Sequence, residues 1–217
     1  MTRASSYFAW QGRLVRPHLG RRVVEIGCGI GNFTGRLLDR ELVVAVDTEA
    51  DCVQRLLERY PAHSNLHAFV SEDFASLARF APDSVVCLNV LEHIEDDRRA
   101  LRQMASMLPS GGVIVLLLPA FPALFGPIDR NLGHHRRYTR TSLVRLADAC
   151  GLLIRRAHYV NALGFFGWWL NAHLFHREAQ SPAQIALFDH LVAPVMSRVE
   201  ALVKPPFGQS LLAVLEK

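Results

Sequence analysis

The sequence predicts a doubly wound α/β fold, a seven-stranded, mostly parallel sheet with helices on both faces, and three observations carry that expectation. Val23 to Asn32 is a β-branched apolar run followed by three alternate glycines, which reads as a buried strand entering a tight turn, and Phe33, Leu37 and Leu38 recur beyond it at helical spacing. Short apolar segments then alternate with helical patterns along most of the chain. One of them, Val113 to Leu118, is apolar at every position, as a parallel strand covered on both faces must be.

The 217 residues, half of them hydrophobic, suffice for one such domain with a substantial core. No stretch is apolar for the length of a membrane span, and the N-terminus, with Arg3 followed by Tyr7-Phe8-Ala9-Trp10, lacks the apolar core of a signal peptide, so a cytoplasmic protein is expected. Cys28, Cys52, Cys87 and Cys150 lie far apart, in neither a C-x-x-C pair nor a secreted framework, and are expected to be reduced. The net charge of +4 comes from arginines scattered along the chain, the only lysines being Lys204 and Lys217. With no basic stripe interleaved with aromatics, nucleic acid is not the expected partner.

In chain order, residues 5 to 18 have an amphipathic pattern with Tyr7, Trp10, Leu14 and Val15 on one side, a lid helix (residues 1–20) ahead of the first strand. The glycine turn departs from the dinucleotide fingerprint, which needs glycine at its first, third and sixth positions: the sixth here is Asn32, and Gly31 occupies the fifth. A nicotinamide dinucleotide is therefore disfavoured. Leu42 to Val46 is a second strand ending on Asp47, whose side-by-side oxygens suit the two hydroxyls of a ribose or cap the helix from Glu49 to Tyr60. Leu66 to Val70 and Ser84 to Asn89 are the third and fourth strands, leading into Ser71-Glu72-Asp73-Phe74 and Val90-Leu91-Glu92-His93-Ile94. A helix from Asp96 to Leu108 and a turn at Pro109-Ser110-Gly111-Gly112 precede the fifth strand. Right-handed crossovers put every strand's C-terminal end on one rim, where Gly27 to Gly31, Asp47, Asp73 and Asn89 converge.

Glu25-x-Gly27-x-Gly29-x-Gly31 resembles the first motif of the class I S-adenosylmethionine-dependent methyltransferases, a Rossmann-like family, and the resemblance extends over nearly the whole chain. It implies S-adenosylmethionine as cofactor, with Glu25 and the three glycines around its amino-acid part, Asp47 on the ribose, Asp73 on the adenine amino group, Phe74 against the ring, Asn89 on the same rim and Tyr7 in a cover. The plainer roles of Tyr7 in a lid, Asp73 as an N-cap and Phe74 as a core aromatic stay open. Leu91-Glu92-His93 looks like the post-strand motif of many small-molecule members of the family, where the loop lies beneath the methyl group. That makes His93 either an acid/base candidate or a helix-start residue. No metal is expected: metal-dependent relatives place a Glu three residues before the second one, where this chain has Asn89, and two adjacent ligands do not build a site.

From Pro119 to Thr139 the chain has no periodicity, and a long structureless loop in a small domain is usually functional. Within it Gly133-His134-x-Arg136-Arg137-Tyr138-Thr139, preceded by Asp129, is similar to a motif of a bacterial subgroup of these methyltransferases. His134 is the candidate base, because a neutral imidazole can take a proton near pH 7, and Tyr138 is a catalytic candidate beside it. Asp129, Arg136 and Arg137 are candidates for binding the acceptor, the arginines as clamps for a carboxylate or phosphate. The alternative is that these side chains pin the loop through ion pairs and an Arg–Tyr stack.

Thr141 or Ser142 caps a helix that runs to Cys150, Leu152 to Val160 is a sixth strand, and Ser210 to Glu216 is a seventh, expected antiparallel between the fifth and sixth. The connection 161–208 thus begins and ends on the cofactor rim and reads as a helical cap. It carries an aromatic stripe through Leu163 to Leu170, with Trp168 a substrate-binding candidate, then His173, Phe175 and His176, and a second helical pattern from Pro182 to about Val203. The stripe could wall a pocket for a greasy acceptor, touch a bilayer interface as a peripheral contact, or pack as core. The expected function is methyl transfer to a small or lipid-like acceptor, oxygen being preferred because a base then has a proton to remove, with S-adenosylhomocysteine as product. Aminopropyl transfer from the same cofactor, or a non-catalytic cofactor-binding module, fits the cofactor half equally. The oligomeric state is not legible in the sequence.

Overall fold

The computed structural model describes residues 5–174, 179 and 186–217. Phe175, His176 and the start of the helical pattern at Pro182 lie outside the described residues. Strands β1 (Arg22–Ile26), β2 (Leu42–Asp47), β3 (Leu66–Val70), β4 (Ser84–Leu88), β5 (Val113–Pro119), β6 (Leu153–Val160) and β7 (Ser210–Glu216) form one sheet in the order β3-β2-β1-β4-β5-β7-β6. The first five are parallel, and β7 runs antiparallel between β5 and β6. This is the doubly wound, seven-stranded sheet the sequence predicts.

Side chains alternate across the sheet, so each strand feeds two cores. Val24, Val44, Val85 and Leu116 pack on one face with Ala100, Leu101 and Met104 of α3 (Asp97–Ser106) and Leu143 and Ala147 of α5 (Arg140–Ala149). Val23, Val43, Val86 and Leu117 pack on the other with Trp10 and Val15 of α1 (Ser5–Val15), Leu56 of α2 (Ala50–Arg59) and Met196 of α7 (Ala193–Leu202). The helix start signals are local and physical: the Asp96 carboxylate accepts the Arg99 N–H at 2.9 Å, and the Thr139 hydroxyl accepts the Ser142 N–H at 3.1 Å.

Three local expectations are corrected. No α-helix follows the glycine turn; a single 3₁₀ turn, Thr34–Arg36, stands there. Phe33 and Leu37 are buried all the same, so the helical spacing is satisfied by a compact turn. The Pro119–Thr139 loop is not structureless, since it holds a 3₁₀ turn at Pro122–Leu124 and the short helix α4 (Pro127–Asn131). Thr139, two residues before Thr141, caps α5.

Between β6 and β7 the chain forms α6 (Ala162–His173), a π-helical turn at Phe188–Val192 and α7. Asn161 enters α6 with a left-handed backbone, and its side chain accepts the Gly164 N–H at 2.8 Å. No helix among the described residues is long and apolar enough to cross a membrane.

The centre of the sheet sets the stability of this frame. Leu116 of β5 is fully buried, in register with Cys87 on one side and Ala213 on the other. Leu116→Ala is expected to lower the unfolding free energy by about 2–5 kcal/mol, read as an earlier urea midpoint at unchanged slope.

Candidate functional site

The C-terminal ends of β1, β4 and β5, the end of β6 and the start of β7 meet on one rim, and a cavity of about 740 Å³ opens there. Its size lies in the upper part of the range for small-molecule sites. The floor is Ile26, Gly27, Leu88, Asn89 and Pro119; Tyr7, Phe8 and Gln11 of α1 close one part, and Leu163, Trp168 and Phe188 another.

Gly27, Gly29 and Gly31 all have positive φ (76°, 50° and 80°), a backbone that residues bearing a Cβ adopt at a cost. A Cβ on Gly27 would overlap the Val90 side chain, whereas nothing stands within 4 Å of the place a Cβ would take on Gly29. The turn is therefore packed tightly at its first glycine and open to a ligand at its second. Asp47, at the end of β2, accepts the Gly29 N–H at 2.8 Å and the Glu49 N–H at 3.1 Å. Each of its oxygens keeps a free lone pair beside the turn.

Of the residues expected around a cofactor, Tyr7, Glu25, Gly27, Gly29 and Asn89 line the cavity; Gly31 and Asp47 do not line it but brace its turn, the Gly31 N–H donating to the Cys28 carbonyl at 3.0 Å and Asp47 accepting the Gly29 N–H. Asp73 and Phe74 differ from the expectation. Phe74 is buried in the core with Leu77 and Met104, and Asp73 is exposed and accepts the Ala75 N–H of its own turn. Neither lines the cavity. Glu25 is buried, and the Thr34 hydroxyl donates to it at 2.6 Å. Burial pushes its carboxyl up to about 8, opposed by the Thr34 hydrogen bond and reinforced by the charge of Asp47.

On the other side of the rim, the 119–139 loop gathers its polar groups around Asp129, which is fully buried. Asp129 accepts from the Gly126 N–H at 3.0 Å, pairs with His134 Nδ1 at 2.8 Å and Arg137 Nε at 2.8 Å, and takes the Trp168 indole N–H at 3.4 Å. Arg137 also stacks on the Trp168 ring at 4.8 Å. Burial alone would raise the Asp129 carboxyl, but its bonds to His134, Arg137 and the Gly126 amide outweigh burial and hold it below the usual range. An ionised carboxylate only accepts, so it fixes the hydrogen of a neutral His134 on Nδ1. The lone pair of Nε2 then points away from Asp129, with Glu92 Oε1 at 4.0 Å, and His134 lines the cavity.

Glu92 is fully buried, and among the described residues neither of its carboxyl oxygens has a hydrogen-bond partner. Burial pushes its carboxyl up to about 8 against the opposing charge of Arg137. His93 stands edge-on to His134, with ring centroids 4.6 Å apart, and burial together with the His134 charge lowers its pKa. Glu92, His93 and His134 bring one donor atom each within 4.8 Å of one another, the number of protein ligands a catalytic metal commonly takes.

The remaining substrate-side candidates are placed differently from expectation. Asp129 lies beneath the cavity as the hub of the loop, with its acceptors committed to protein donors. Arg136 pairs with Asp97 at 2.9 Å and donates to the Glu95 carbonyl, and Tyr138 donates to Asp97 at 3.0 Å. Neither lines the cavity, and burial raises the Tyr138 phenol far above its ordinary value, so both pin the loop. Arg137 and Trp168 do reach the cavity. Among the lining residues that the sequence reading did not single out are Phe8, Gln11, Asn171 and Asp189. The amphipathic face that marks Tyr7 and Trp10 could have pointed to Gln11, one turn from Tyr7; the other three carry no local signal.

Comparison with known proteins agrees with this geometry. Residues 6–156 match the model of a family described as methyltransferase domain. The chain is 32% identical over 106 residues to trans-aconitate 2-methyltransferase of Rhodopseudomonas palustris (strain BisB18), covering 46% of this chain and 39% of that protein. It is 27% identical over 154 residues to ubiquinone biosynthesis O-methyltransferase of Aeromonas salmonicida, covering 63% of this chain and 64% of that one. The chain thus spans less than two thirds of the length of these curated relatives. Among solved structures, it is similar to an S-adenosylmethionine-dependent methyltransferase of Mesorhizobium loti, with TM-score 0.64, 14% identity and 98% of each chain covered. It is likewise similar to the N-methyltransferase NodS of Bradyrhizobium japonicum, solved with S-adenosylhomocysteine, with TM-score 0.59 and 17% identity over 97% of this chain and 85% of that one.

The buried Glu92 makes stability depend on pH. Its carboxyl keeps its proton up to about 8 in the folded chain and releases it above its ordinary 4.5 when unfolded, so its contribution is full below 4.5 and is lost as pH rises towards 8. Glu92→Gln is expected to flatten the fall of unfolding free energy between these limits by roughly 1 kcal/mol per pH unit, measured by urea denaturation across the series. An unchanged slope would return Glu92 to an ordinary ionised carboxylate.

Proposed function

The chain belongs to the methyltransferase-domain family, and on that premise we propose that it moves a methyl group from S-adenosylmethionine to an oxygen of a small or lipid-like acceptor, releasing S-adenosylhomocysteine. α1 and the 161–208 connection are its lid and cap, parts of a single domain. The observation that carries the reading is the Asp129–His134 pair, an imidazole with its free nitrogen in the cavity, across from an open glycine turn. The likeness to a protein named as an O-methyltransferase agrees with an oxygen acceptor.

The residues present fit the cofactor. Gly29 offers the open backbone, Asp47 keeps lone pairs beside it, and Tyr7 and Asn89 line the same cavity. S-adenosylmethionine, when bound, supplies a methyl carbon on a positively charged sulfur. Glu25, holding its proton at neutral pH, shapes the turn through Thr34 without adding a buried negative charge.

His134 Nε2 takes the proton of the acceptor hydroxyl, and the imidazolium that forms is stabilised by Asp129 through Nδ1. Asp129 remains ionised because Arg137 stays paired to it, so the proton stops on the imidazole. Trp168, Phe8 and Leu163 make the surrounding wall apolar, which keeps competing water from the reacting centre.

A second reading rests on the three donors of Glu92, His93 and His134. A divalent ion held there would displace the Glu92 proton and polarise the acceptor oxygen. The two readings part on chelation: the proton-transfer reading expects turnover unchanged by a chelator, the metal reading expects loss that a divalent salt restores.

Calorimetric titration with S-adenosylmethionine and S-adenosylhomocysteine, with NADH as control, tests the cofactor, and a screen of hydroxyl-bearing metabolites and lipids finds the acceptor. His134→Ala is expected to lower kcat by about 10²–10⁴-fold while leaving cofactor affinity unchanged. Full turnover by that variant across pH would remove the proton-transfer role.

A further inference from the structure

The connection between β6 and β7 presents its apolar side chains outward as well as inward. On α6 and its C-cap residue, Leu163, Phe166, Leu170 and Leu174 are exposed and recur every three or four residues, which puts them on one stripe, with Trp169 exposed beside it. Along the π-helical turn and α7, Leu187, Leu191, Val195, Val199 and Leu202 repeat in the same way and are more than half exposed, Leu202 at 89%. Exposed apolar area on this scale marks an interaction surface.

Two further observations say what it meets. The stripes border the cavity: Leu163, Leu170 and Leu187 are exposed and line it at once, so its mouth opens within the apolar face. The charges of the face are also sorted by sign. Its two described acids are used internally: Glu200 accepts the Asn161 and Ala162 N–H groups at 3.0 and 2.9 Å, and Asp189 accepts the Tyr7 N–H at 2.8 Å. α6 carries no charged residue, and His190, Arg198 and Lys204 stand exposed among the apolar positions. An apolar stripe with aromatics, whose exposed charges among the described residues are the cations Arg198 and Lys204, is the chemistry of an anionic lipid interface. A second copy of this chain would instead set cations against cations.

We propose that the exposed stripes of α6 and α7 dock on an anionic phospholipid bilayer, so that the mouth of the cavity faces the membrane and takes its acceptor from the lipid phase. This rests on the reading of the cavity as the methyl-transfer site and assigns that site its acceptor class, an amphiphile with its reactive hydroxyl at the head and an apolar tail left towards the bilayer. Interfacial docking needs no spanning helix, in accord with the helix lengths.

The test is sedimentation with phosphatidylcholine vesicles, plain or containing about a quarter phosphatidylglycerol, with S-adenosylmethionine titration on the same samples. The wild-type chain is expected to bind the anionic vesicles at least about tenfold better than the neutral ones. Leu191→Glu/Val195→Glu/Val199→Glu, at positions outside the cavity lining, is expected to lower binding about tenfold or more with cofactor affinity unchanged. Arg198→Glu/Lys204→Glu, which leaves the apolar stripe intact, is expected to abolish the preference for anionic lipid. Equal binding to both vesicle types, wild-type binding by either variant, or a dimer that the triple variant dissociates without any vesicle binding would overturn the proposal. Vesicle binding without cofactor binding would leave the docking face standing and overturn the methyl-transfer reading alone.

Discussion

The geometry of this site depends on one buried carboxylate. Asp129 is taken wholly out of water, which is costly for a charge unless every acceptor site finds a donor, and its donors come from three separate places: the Gly126 amide at the start of its own helix, His134 and Arg137 beyond it, and Trp168 on α6. The loop after β5 and the helix after β6 are therefore ordered together. Losing a charged partner would leave a charge uncompensated, so the arrangement is close to all-or-none, and it fixes the orientation of the His134 ring.

Three of the buried carboxyl groups at this rim stand in two states. Glu25 and Glu92 are buried with too few donors and keep their protons into the neutral range, whereas Asp129, equally buried, is held ionised by an arginine, an imidazole and a backbone amide. Environment alone separates them. The consequence is a cavity that His134 lines beside an ionised Asp129, while the glycine turn stays free of net negative charge from Glu25.

Much of the frame was legible in the sequence because buried parallel strands are nearly continuous apolar runs, and β3 and β7 fall at the residues their patterns mark. The helix expected after the glycine turn was not, for a physical reason. Thr34 turns inward to bond Glu25, and Gly35 lies so close to Tyr60 that a Cβ there would overlap its hydroxyl, so Phe33 and Leu37 are buried by a tight turn at a spacing that also fits a helix. In the site, the type and clustering of His134 and Arg137 were readable, but the division of labour was not. Which of Asp129, Arg136, Arg137 and Tyr138 faces a ligand and which holds the loop depends on Asp97 and Trp168, partners more than thirty residues away in sequence. Phe74 shows the opposite ambiguity: an apolar residue after a strand fits a ring-stacking wall and a core equally well, and the structure places it in the core cluster with Leu77 and Met104.

The sorting of charge on the outer face follows from helix-end chemistry. The first N–H groups of a helix lack intrahelical partners and are best met by carboxylates. Asp189 serves α1 in this way and Glu200 serves the entry to α6, so the segment that closes the cavity spends both of its described acids on holding neighbouring helices in place. Among the described residues, the exposed charges left on this face are the cations Arg198 and Lys204. The contacts that hold α1 and α6 beside the cavity and the surface character on which the proposed bilayer docking rests thus have a common origin, and a change that freed either acid would loosen these helices and weaken the face together.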